Sequence, residues 1–223
     1  MHLGIIMDGN RRWAKERELP VFKGHREGAN RVRQIARYCK NCGIKTLTLY
    51  AFSTENWNRD AKEVYFLMKL LGLFLTKELE ELQKEKIKLK VIGQKEKLPL
   101  SLQKKIAKAE ALTAGNENLT LVLAISYGGR AEIVQAFKRM ILGGVSSDDV
   151  TEEKIGEHLY TVGLPDPDLI IRTSGEMRTS GFLMWQAAYS ELYFTDKYWP
   201  DFSEEDLDEA LAEYSRRQRR FGK

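Results

Sequence analysis

Arginine and hydroxyl side chains are concentrated in four short polar segments that each follow an apolar run of the sequence. Guanidinium groups bind phosphate oxygens through two donors at once, and glycine-rich backbone adds free N–H groups. A single arginine of this kind usually forms a surface salt bridge, but six in such positions indicate a site for a phosphate or a diphosphate. The segments are residues 8–13, 53–59, 126–130 and 172–180, and their arginines are Arg11, Arg12, Arg59, Arg130, Arg172 and Arg178.

Asp8 is the best candidate for a divalent-cation ligand in these segments. It ends the first apolar run and is followed by a glycine and by polar donors. Mg²⁺ usually takes one or two protein carboxylates together with phosphate oxygens of a substrate, so an aspartate among arginines suits it. The alternative is an aspartate that caps a helix. Glu191, which opens the last predicted strand, is the candidate for a second carboxylate ligand.

Residues 64–75 are apolar on nearly every face of the helix that their spacing predicts. A surface helix needs only one apolar stripe. This helix is therefore either buried in the core or in a subunit interface, or it lines an apolar channel for a long hydrocarbon chain. An arginine-rich diphosphate site beside an apolar channel is what a prenyl diphosphate requires.

Strand-like and helical patterns alternate along the whole chain and position these segments. The alternation predicts an α/β fold, in which a central, mostly parallel six-stranded sheet is flanked by helices, and a single domain over residues 1–223. Ligands of such sheets bind beyond the carboxyl ends of the strands, which is where the four polar segments fall. The predicted strands are 3–7, 46–52, 89–92, 119–125, 169–171 and 192–194, and the predicted helices are about 25–41, 61–85, 100–113, 130–142, 152–160 and 204–219.

Composition and motifs exclude several functional classes. The 223 residues include 36 Lys and Arg against 32 Asp and Glu, and a net charge of +4 spread along the chain is too small to indicate nucleic-acid binding. The sequence has neither a P-loop nor a dinucleotide-binding glycine motif. No apolar stretch reaches the ~18 residues that span a bilayer, and the first residues do not resemble a signal peptide. We therefore expect a cytoplasmic protein, and contact with a membrane surface remains open.

Taken together, the polar segments resemble the cis-prenyltransferases, in order and over essentially the whole chain. Several of the matching blocks are highly specific to that family. They are IIMDGNRRWA (5–14), GH (24–25), LTLYAFSTENW (47–57), YGGR (127–130), RTSGE (172–176), ELYF (191–194), WPDF (199–202) and RRFG (219–222).

The resemblance implies a homodimeric, Mg²⁺-dependent transferase that adds isopentenyl diphosphate units to farnesyl diphosphate in cis geometry. The implied product is undecaprenyl diphosphate, the precursor of a lipid carrier for cell-wall polysaccharide synthesis, and peripheral membrane contact would serve its release. By the same resemblance Asp8 is catalytic and carries the metal, and Glu191 is the second metal ligand. The family usually assigns proton acceptance to the position of Asn56.

The other matched positions bind substrates by the same resemblance. They form a group around the allylic diphosphate, a group in the substrate site after the second strand, and a group that binds isopentenyl diphosphate. In that order they are Gly9, Asn10, Arg11, Arg12, Trp13 and His25; Ser53, Thr54, Glu55, Trp57 and Arg59; and Arg172, Arg178, Thr179 and Ser180.

Three positions depart from the family pattern. Val21 stands where family members commonly have arginine, so one diphosphate contact is lost or shifted to Lys23. Ser126 and Gly181 stand where asparagine is usual. A further expectation differs from the family assignment: because an amide is a poor base, Asn56 should orient the acceptor of the proton, a diphosphate oxygen or water, rather than take the proton itself.

Two other functions stay open at this point. A cis-prenyl synthase with a shorter or longer product would keep the fold and differ in channel depth near residues 67–75 and 119–125. A non-catalytic subunit of a hetero-oligomeric synthase typically lacks the Asp8 motif or the arginines, whereas this chain has both.

Overall fold

Six parallel strands form one sheet in the computed structural model of the chain, which describes residues 1–217. The strands are β1 (His2–Ile6), β2 (Thr46–Ser53), β3 (Ile87–Ile92), β4 (Leu119–Tyr127), β5 (Leu169–Arg172) and β6 (Glu191–Phe194). They lie in the order β3-β4-β2-β1-β5-β6, and every neighbouring pair is parallel. The predicted six-stranded α/β fold is confirmed, and this sheet is parallel throughout.

Helices flank the sheet, and the strands are apolar on both faces for that reason. Leu121 and Leu123 of β4 belong to the main apolar cluster, whereas Val122 and Ala124 belong to a second cluster with Phe182. Strands covered on both faces read as continuous apolar runs. The helices are α1 (Asn10–Glu16), α2 (Val21–Asn41), α3 (Ala61–Lys77), α4 (Leu79–Lys84), α5 (Leu100–Thr113), α6 (Gly129–Leu142), α7 (Glu152–Gly156) and α8 (Glu204–Arg216), with short 3₁₀ helices at Thr54–Asn58, Lys95–Lys97, Ser147–Asp149 and Trp199–Asp201.

One helix of the structure was not predicted, and one predicted helix is divided into two. Helix α1 was not predicted, because it has seven residues and buries only Ala14, too little for an apolar stripe to be visible. The predicted helix 61–85 is divided at Glu78 into α3 and α4. The division is hidden in the sequence because Leu75, Leu79 and Leu82 keep helical spacing across it.

The last predicted helix corresponds to α8, which ends at Arg216. Residues 218 and 219 of that prediction, and the RRFG block at 219–222, lie outside the described residues. Within residues 1–217, no helix is long and apolar enough to span a membrane.

The sheet changes winding direction at β1, which lies between β2 and β5. The chain runs from β1 to one side of the sheet through β2, β3 and β4, and then crosses to the other side through β5 and β6. Ligand sites of doubly wound sheets form at such a point, beyond the carboxyl ends of the strands. The fold thus brings the segments after β1, β2, β4 and β5 to one edge.

His2 joins three parts of the opposite edge of the sheet. Its ring is 1% exposed, with Nδ1 at 2.7 Å from the Pro165 carbonyl and Nε2 at 2.7 Å from Thr48 Oγ1. Its backbone N–H donates to Asp168 Oδ2 at 2.8 Å. Burial is the main cause of a lowered pKa for His2, so the folded protein favours the neutral ring.

The lowered pKa of His2 predicts a loss of stability in acid. Below the ordinary pKa of 6.5, His2 takes up a proton in the unfolded chain but not yet in the folded chain. The free energy of unfolding therefore decreases as the pH is lowered from about this value to the lowered pKa of the folded protein. The His2→Asn variant should show a shallower fall over this window in denaturant titrations at a series of pH values. His25, whose pKa is also lowered, is kept in both proteins. Equal slopes for the two proteins would contradict the role of His2.

Candidate active site

Arg172 and Asp8 form the centre of the polar edge. Arg172 is the last residue of β5 and is 5% exposed, and its NH2 donates to Asp8 Oδ2 at 2.9 Å. Its NH1 donates to Ser180 Oγ at 2.7 Å and to the carbonyl oxygen of Arg178. The Nε atom is buried without a partner. One guanidinium group therefore joins the end of β1 to the loop after β5.

The Asp8 carboxylate is held in place by contacts on several sides. Oδ1 accepts from the Gly9 N–H at 2.7 Å, and Arg12 NH2 lies 3.4 Å from Oδ2. The Asp8 backbone N–H donates to Thr173 Oγ1 at 2.9 Å, and Thr173 Oγ1 donates to the Asp8 carbonyl at 2.8 Å. These bonds fix the position of a negative charge between cations.

Gly9 turns the chain sharply from β1 into α1. Its φ of +100° lies in the left-handed region, and a Cβ there would be 2.5 Å from Tyr198 Cδ1 and 2.9 Å from Ser174 Cβ. The first intrahelical bond runs from the Trp13 N–H to the Gly9 carbonyl at 2.8 Å. The N–H groups of the three residues between them are therefore available to an anion.

Arg12 is oriented across the site by the loop after β5. It donates to Ser174 Oγ and, at 3.3 Å, to Glu176 Oε1, and it lies over the ring of Tyr198. Glu176 also accepts from Arg178, whose side chain is 61% exposed. Glu176 thus ties a predicted allylic-site arginine to a predicted isopentenyl-site arginine.

Glu63 is a site residue that the sequence reasoning missed. Its side chain is 12% exposed, and Oε1 accepts from Arg59 NH1 at 3.1 Å, contacts His25 Nε2 at 3.1 Å and lies 3.9 Å from Arg11 Nε. Burial lowers the pKa of His25, and the bond to Glu63 opposes that shift. The sequence does indicate the ion pair between these two residues, since Glu63 follows Arg59 by four positions.

Asn56 uses its carbonyl oxygen within the protein. It lies in the 3₁₀ helix after β2, and its Oδ1 accepts from the Ser53 N–H at 3.1 Å. The Nδ2 group is a donor only. Asn56 therefore presents a donor to the site rather than a proton acceptor.

Two adjoining polar chambers lie at this edge, with volumes of about 630 Å³ and 320 Å³. The larger is bounded mainly by the segments after β2, β4 and β5, and the smaller mainly by the segment after β1, the start of α1, and β2 with the segment that follows it. The walls they share include Asp8, Asn56 and Arg59. Of the predicted residues, Ser53, Thr54, Glu55, Arg172, Thr179 and Ser180 line the larger chamber, and Gly9, Asn10, Arg11, Arg12 and His25 line the smaller.

An apolar cavity of about 80 Å³ adjoins the smaller chamber, between α2, α3 and the sheet. Asn10, His25 and Leu67 line both spaces. The floor is formed by Ala51 of β2 and Leu123 of β4. The α3 residues Leu67, Leu70, Leu71 and Phe74, which come from the apolar segment noted in the sequence, form one wall.

Glu191 does not lie near Asp8 in this chain. It opens β6 and pairs in register with Leu169, whereas Phe194 at the other end of β6 pairs with Arg172. At roughly 3.3 Å per residue, this separates Glu191 from the carboxyl edge by about 10 Å. Its carboxylate accepts from Arg217 NH1 at 2.9 Å. The expectation that Glu191 joins Asp8 on one metal ion is therefore not supported within a single chain, and residues 1–217 contain no cluster of three or more His, Cys, Asp or Glu suited to a metal.

Both predicted tryptophans lie outside the two chambers. Trp13 Nε1 donates to Asp201 Oδ1 at 2.7 Å, and its ring is covered by the guanidinium of Arg17. Trp57 Nε1 donates to Ser126 Oγ at 2.9 Å. Val21, the first residue of α2, does not line either chamber. The two tryptophans therefore support residues around the chambers and do not line the chambers themselves.

The two positions at which the family usually has asparagine, Ser126 and Gly181, lie in the left-handed region of backbone conformation. Ser126 has a φ of +51° and Gly181 a φ of +79°, a region in which asparagine and glycine are favoured. Ser126 is fully buried and keeps a hydroxyl partner for Trp57, and the Gly181 carbonyl accepts from the Gly129 N–H at 2.8 Å. Both turns are formed without asparagine.

Arginine-lined chambers at the edge of a parallel sheet, next to an apolar cavity, are the arrangement expected of a prenyltransferase. The sequence family described as "Putative undecaprenyl diphosphate synthase" matches residues 6–222. The chain is 53% identical to an isoprenyl transferase from Listeria monocytogenes serotype 4b (strain F2365), over 99% of this chain and 89% of the relative. It is 49% identical to the ditrans,polycis-undecaprenyl-diphosphate synthase ((2E,6E)-farnesyl-diphosphate specific) of Micrococcus luteus, over 99% of this chain and 90% of that one.

A solved structure supports the same assignment. Lavandulyl diphosphate synthase from Lavandula x intermedia, in complex with dimethylallyl diphosphate, superposes with a TM-score of 0.95 at 42% identity, covering 100% of this chain and 98% of that one. The chain therefore belongs to the undecaprenyl diphosphate synthase family of prenyltransferases. The family resemblance seen in the sequence is confirmed.

The geometry at Gly9 predicts that its replacement disturbs both stability and the anion site. Gly9→Ala forces a side chain into left-handed backbone and against Tyr198, so the free energy of unfolding should fall by about 1–3 kcal/mol. Displacement of the start of α1 should also weaken the binding of inorganic pyrophosphate, measured by titration calorimetry. Gly156→Ala is the control, because a Cβ at Gly156 meets only open space. Equal stability and equal pyrophosphate affinity in the two variants would contradict the role of Gly9.

Proposed function

We propose that this chain condenses isopentenyl diphosphate units onto farnesyl diphosphate in cis geometry and produces undecaprenyl diphosphate. The observation that carries the proposal is the position of Asp8, on the wall common to two polar chambers of which one adjoins an apolar cavity. Two diphosphates bound side by side, one with a hydrocarbon tail, fit that arrangement. The name of the Micrococcus luteus relative supports farnesyl diphosphate as the primer.

The apolar cavity assigns the two substrates to their chambers. Farnesyl diphosphate would place its diphosphate against Arg11, Arg12 and His25, because the apolar cavity adjoins that chamber. Isopentenyl diphosphate would bind in the larger chamber against Arg172 and Ser180. Arginine forks at both positions suit phosphate oxygens.

The residues at Asp8 fit a bound Mg²⁺. The carboxylate is a hard oxygen ligand on the wall of both chambers, among arginines that can hold the phosphates of a substrate. Mg²⁺ is commonly held by one or two carboxylates with substrate phosphates completing its shell. When bound, the ion would neutralise the charge that develops on the departing diphosphate. Asp8 would hold it, and Glu191 of the same chain would not.

The protein's own groups would position the reacting atoms and stabilise charge. Arginines around the smaller chamber would stabilise the departing diphosphate while the alkene of isopentenyl diphosphate attacks the allylic carbon. The attack leaves a positive charge on a carbon of the former isopentenyl unit, and a proton must then leave the neighbouring carbon so that a new double bond forms. Asn56 would orient the accepting oxygen through its Nδ2 donor, because its Oδ1 is already bonded to the Ser53 N–H.

A homodimer also belongs to this proposal. Val134, Phe137 and Ile141 are 55%, 43% and 74% exposed on one face of α6, at spacings of three and four residues. An apolar helix face of this kind is typical of a subunit interface. A cytoplasmic location, with contact to a membrane surface for product release, stays a prediction.

A second candidate is a cis-prenyl synthase with a short product. The small size of the apolar cavity, about 80 Å³, favours it, as does the similarity to lavandulyl diphosphate synthase. The size of the dephosphorylated product, measured by chromatography, distinguishes the two candidates.

Incorporation of labelled isopentenyl diphosphate with farnesyl diphosphate tests the proposed reaction and the role of Asp8. The wild type should form product with Mg²⁺ and none with EDTA, and Asp8→Ala should lose roughly a hundredfold or more of the turnover, because an uncompensated diphosphate leaves poorly. The control is Asp148→Ala, which removes an exposed aspartate from the short 3₁₀ helix at Ser147–Asp149. Near-normal turnover of folded Asp8→Ala would contradict the metal-ligand role, and absence of wild-type product would contradict the reaction.

Product length should respond to substitutions on the floor of the apolar cavity. Ala51→Leu narrows the cavity and should shorten the product, whereas Leu123→Ala widens it and should lengthen the product. Ala212→Leu, on the exposed side of α8, is the control for added bulk. Unchanged product profiles in both floor variants would show that these residues serve the core alone.

A further inference from the structure

Three ion pairs join α2 to α4 and to the residues that flank α4 on either side. They are Arg33–Glu78, Arg37–Glu81 and Lys40–Glu85, here called the ion-pair ladder. The basic residues follow one another on α2 by four and three positions, so they lie on one face of the helix. Arg33 binds Glu78 through two bonds, one of them from Nε to Oε2 at 2.6 Å.

The ladder covers a second, very small apolar cavity of about 20 Å³. All six ladder residues except Lys40 line it, and its inner wall is apolar. That inner wall consists of Ala36, Phe74, Leu82, Ile87 and Leu121.

The two apolar cavities lie along one path on the same face of the sheet. Phe74 lines both of them. Leu123 beneath the first cavity and Leu121 beneath the second are two positions apart on β4, so they point to the same face. The path therefore runs from the polar site, past Phe74, to the ion-pair ladder.

The closed path is too small for a long prenyl chain. Cavities of about 80 Å³ and 20 Å³ fall well below the ~300–1,000 Å³ of sites that enclose drug-sized ligands. A growing chain must therefore push α2 away from α3 and α4. The side chains of Glu78 and Lys40 are only 8% and 19% exposed, so separation of the helices disrupts contacts that are partly shielded from water.

We propose that the ion-pair ladder closes the far end of the prenyl channel and limits product length. The inference rests on the proposed function. Each added isoprene unit moves the tail toward Phe74, and extension stops when further growth requires Arg33 to leave Glu78. Breaking that pair would leave the shielded Glu78 carboxylate without its partner beside the hydrocarbon tail, whereas the earlier units displace only apolar contacts.

Sizing of labelled product in ladder variants tests the proposal. Arg33→Gln and Glu78→Gln should shift the main product to chains at least one isoprene unit longer, with the first additions as fast as in the wild type. The exchange Arg33→Glu with Glu78→Arg should restore the wild-type length. Lys95→Gln is the control, since it removes one partner of the Lys95–Glu110 pair at 2.8 Å, which lines neither apolar cavity.

The outcomes separate this inference from the proposed function. Wild-type product lengths in the folded ladder variants, or the same lengthening in Lys95→Gln, would overturn the ladder and leave the reaction intact. Absence of any wild-type product would overturn the reaction and the ladder together. If Glu78→Gln does not fold, the product length of Arg37→Gln tests the proposal instead. Arg37 is half exposed, so its replacement should disturb folding less.

Discussion

The buried guanidinium of Arg172 is the interaction on which the rest of the site depends. A charge that is 5% exposed must be paired, and its partner is Asp8 on the neighbouring strand end. The same group holds Ser180 and the Arg178 carbonyl, so it fixes the loop that bounds the larger chamber. Because Asp8 also holds the Gly9 N–H, the start of α1 follows from the same contact. One ion pair thus sets the two chambers side by side.

Helix α3 connects the chemistry of the polar edge to the space available for a hydrocarbon chain. Its 17 residues span about 25 Å. Near its start Glu63 orients Arg59 and His25, and immediately after its end Glu78 pairs with Arg33. Between them the helix presents apolar side chains to the cavity. A displacement of α3 would therefore change both the setting of the cations and the depth of the channel.

The sequence predicts the parts of the site that follow from strand order alone. Asp8 and Arg172 were found because the carboxyl ends of parallel strands meet at one edge. The same rule argues against Glu191 as a partner of Asp8 in one chain, because a residue that opens a parallel strand lies at the opposite edge of the sheet. Glu78 was not found, because its partner Arg33 lies on another helix and only helix packing brings them together. Glu63 was missed although it follows Arg59 by four residues, since its contact with His25 depends on the packing of α3 against α2. The division of α3 from α4 was hidden for a different reason, because the apolar spacing of a helix continues across Glu78.

A crystal structure with Mg²⁺, isopentenyl diphosphate and a thiodiphosphate analogue of farnesyl diphosphate tests the account most directly. We expect the allylic diphosphate at the start of α1 and isopentenyl diphosphate against Arg172, with Asp8 between them and the farnesyl tail between α2 and α3. A tail outside the α2–α3 space, or an isopentenyl diphosphate away from Arg172, would contradict the account.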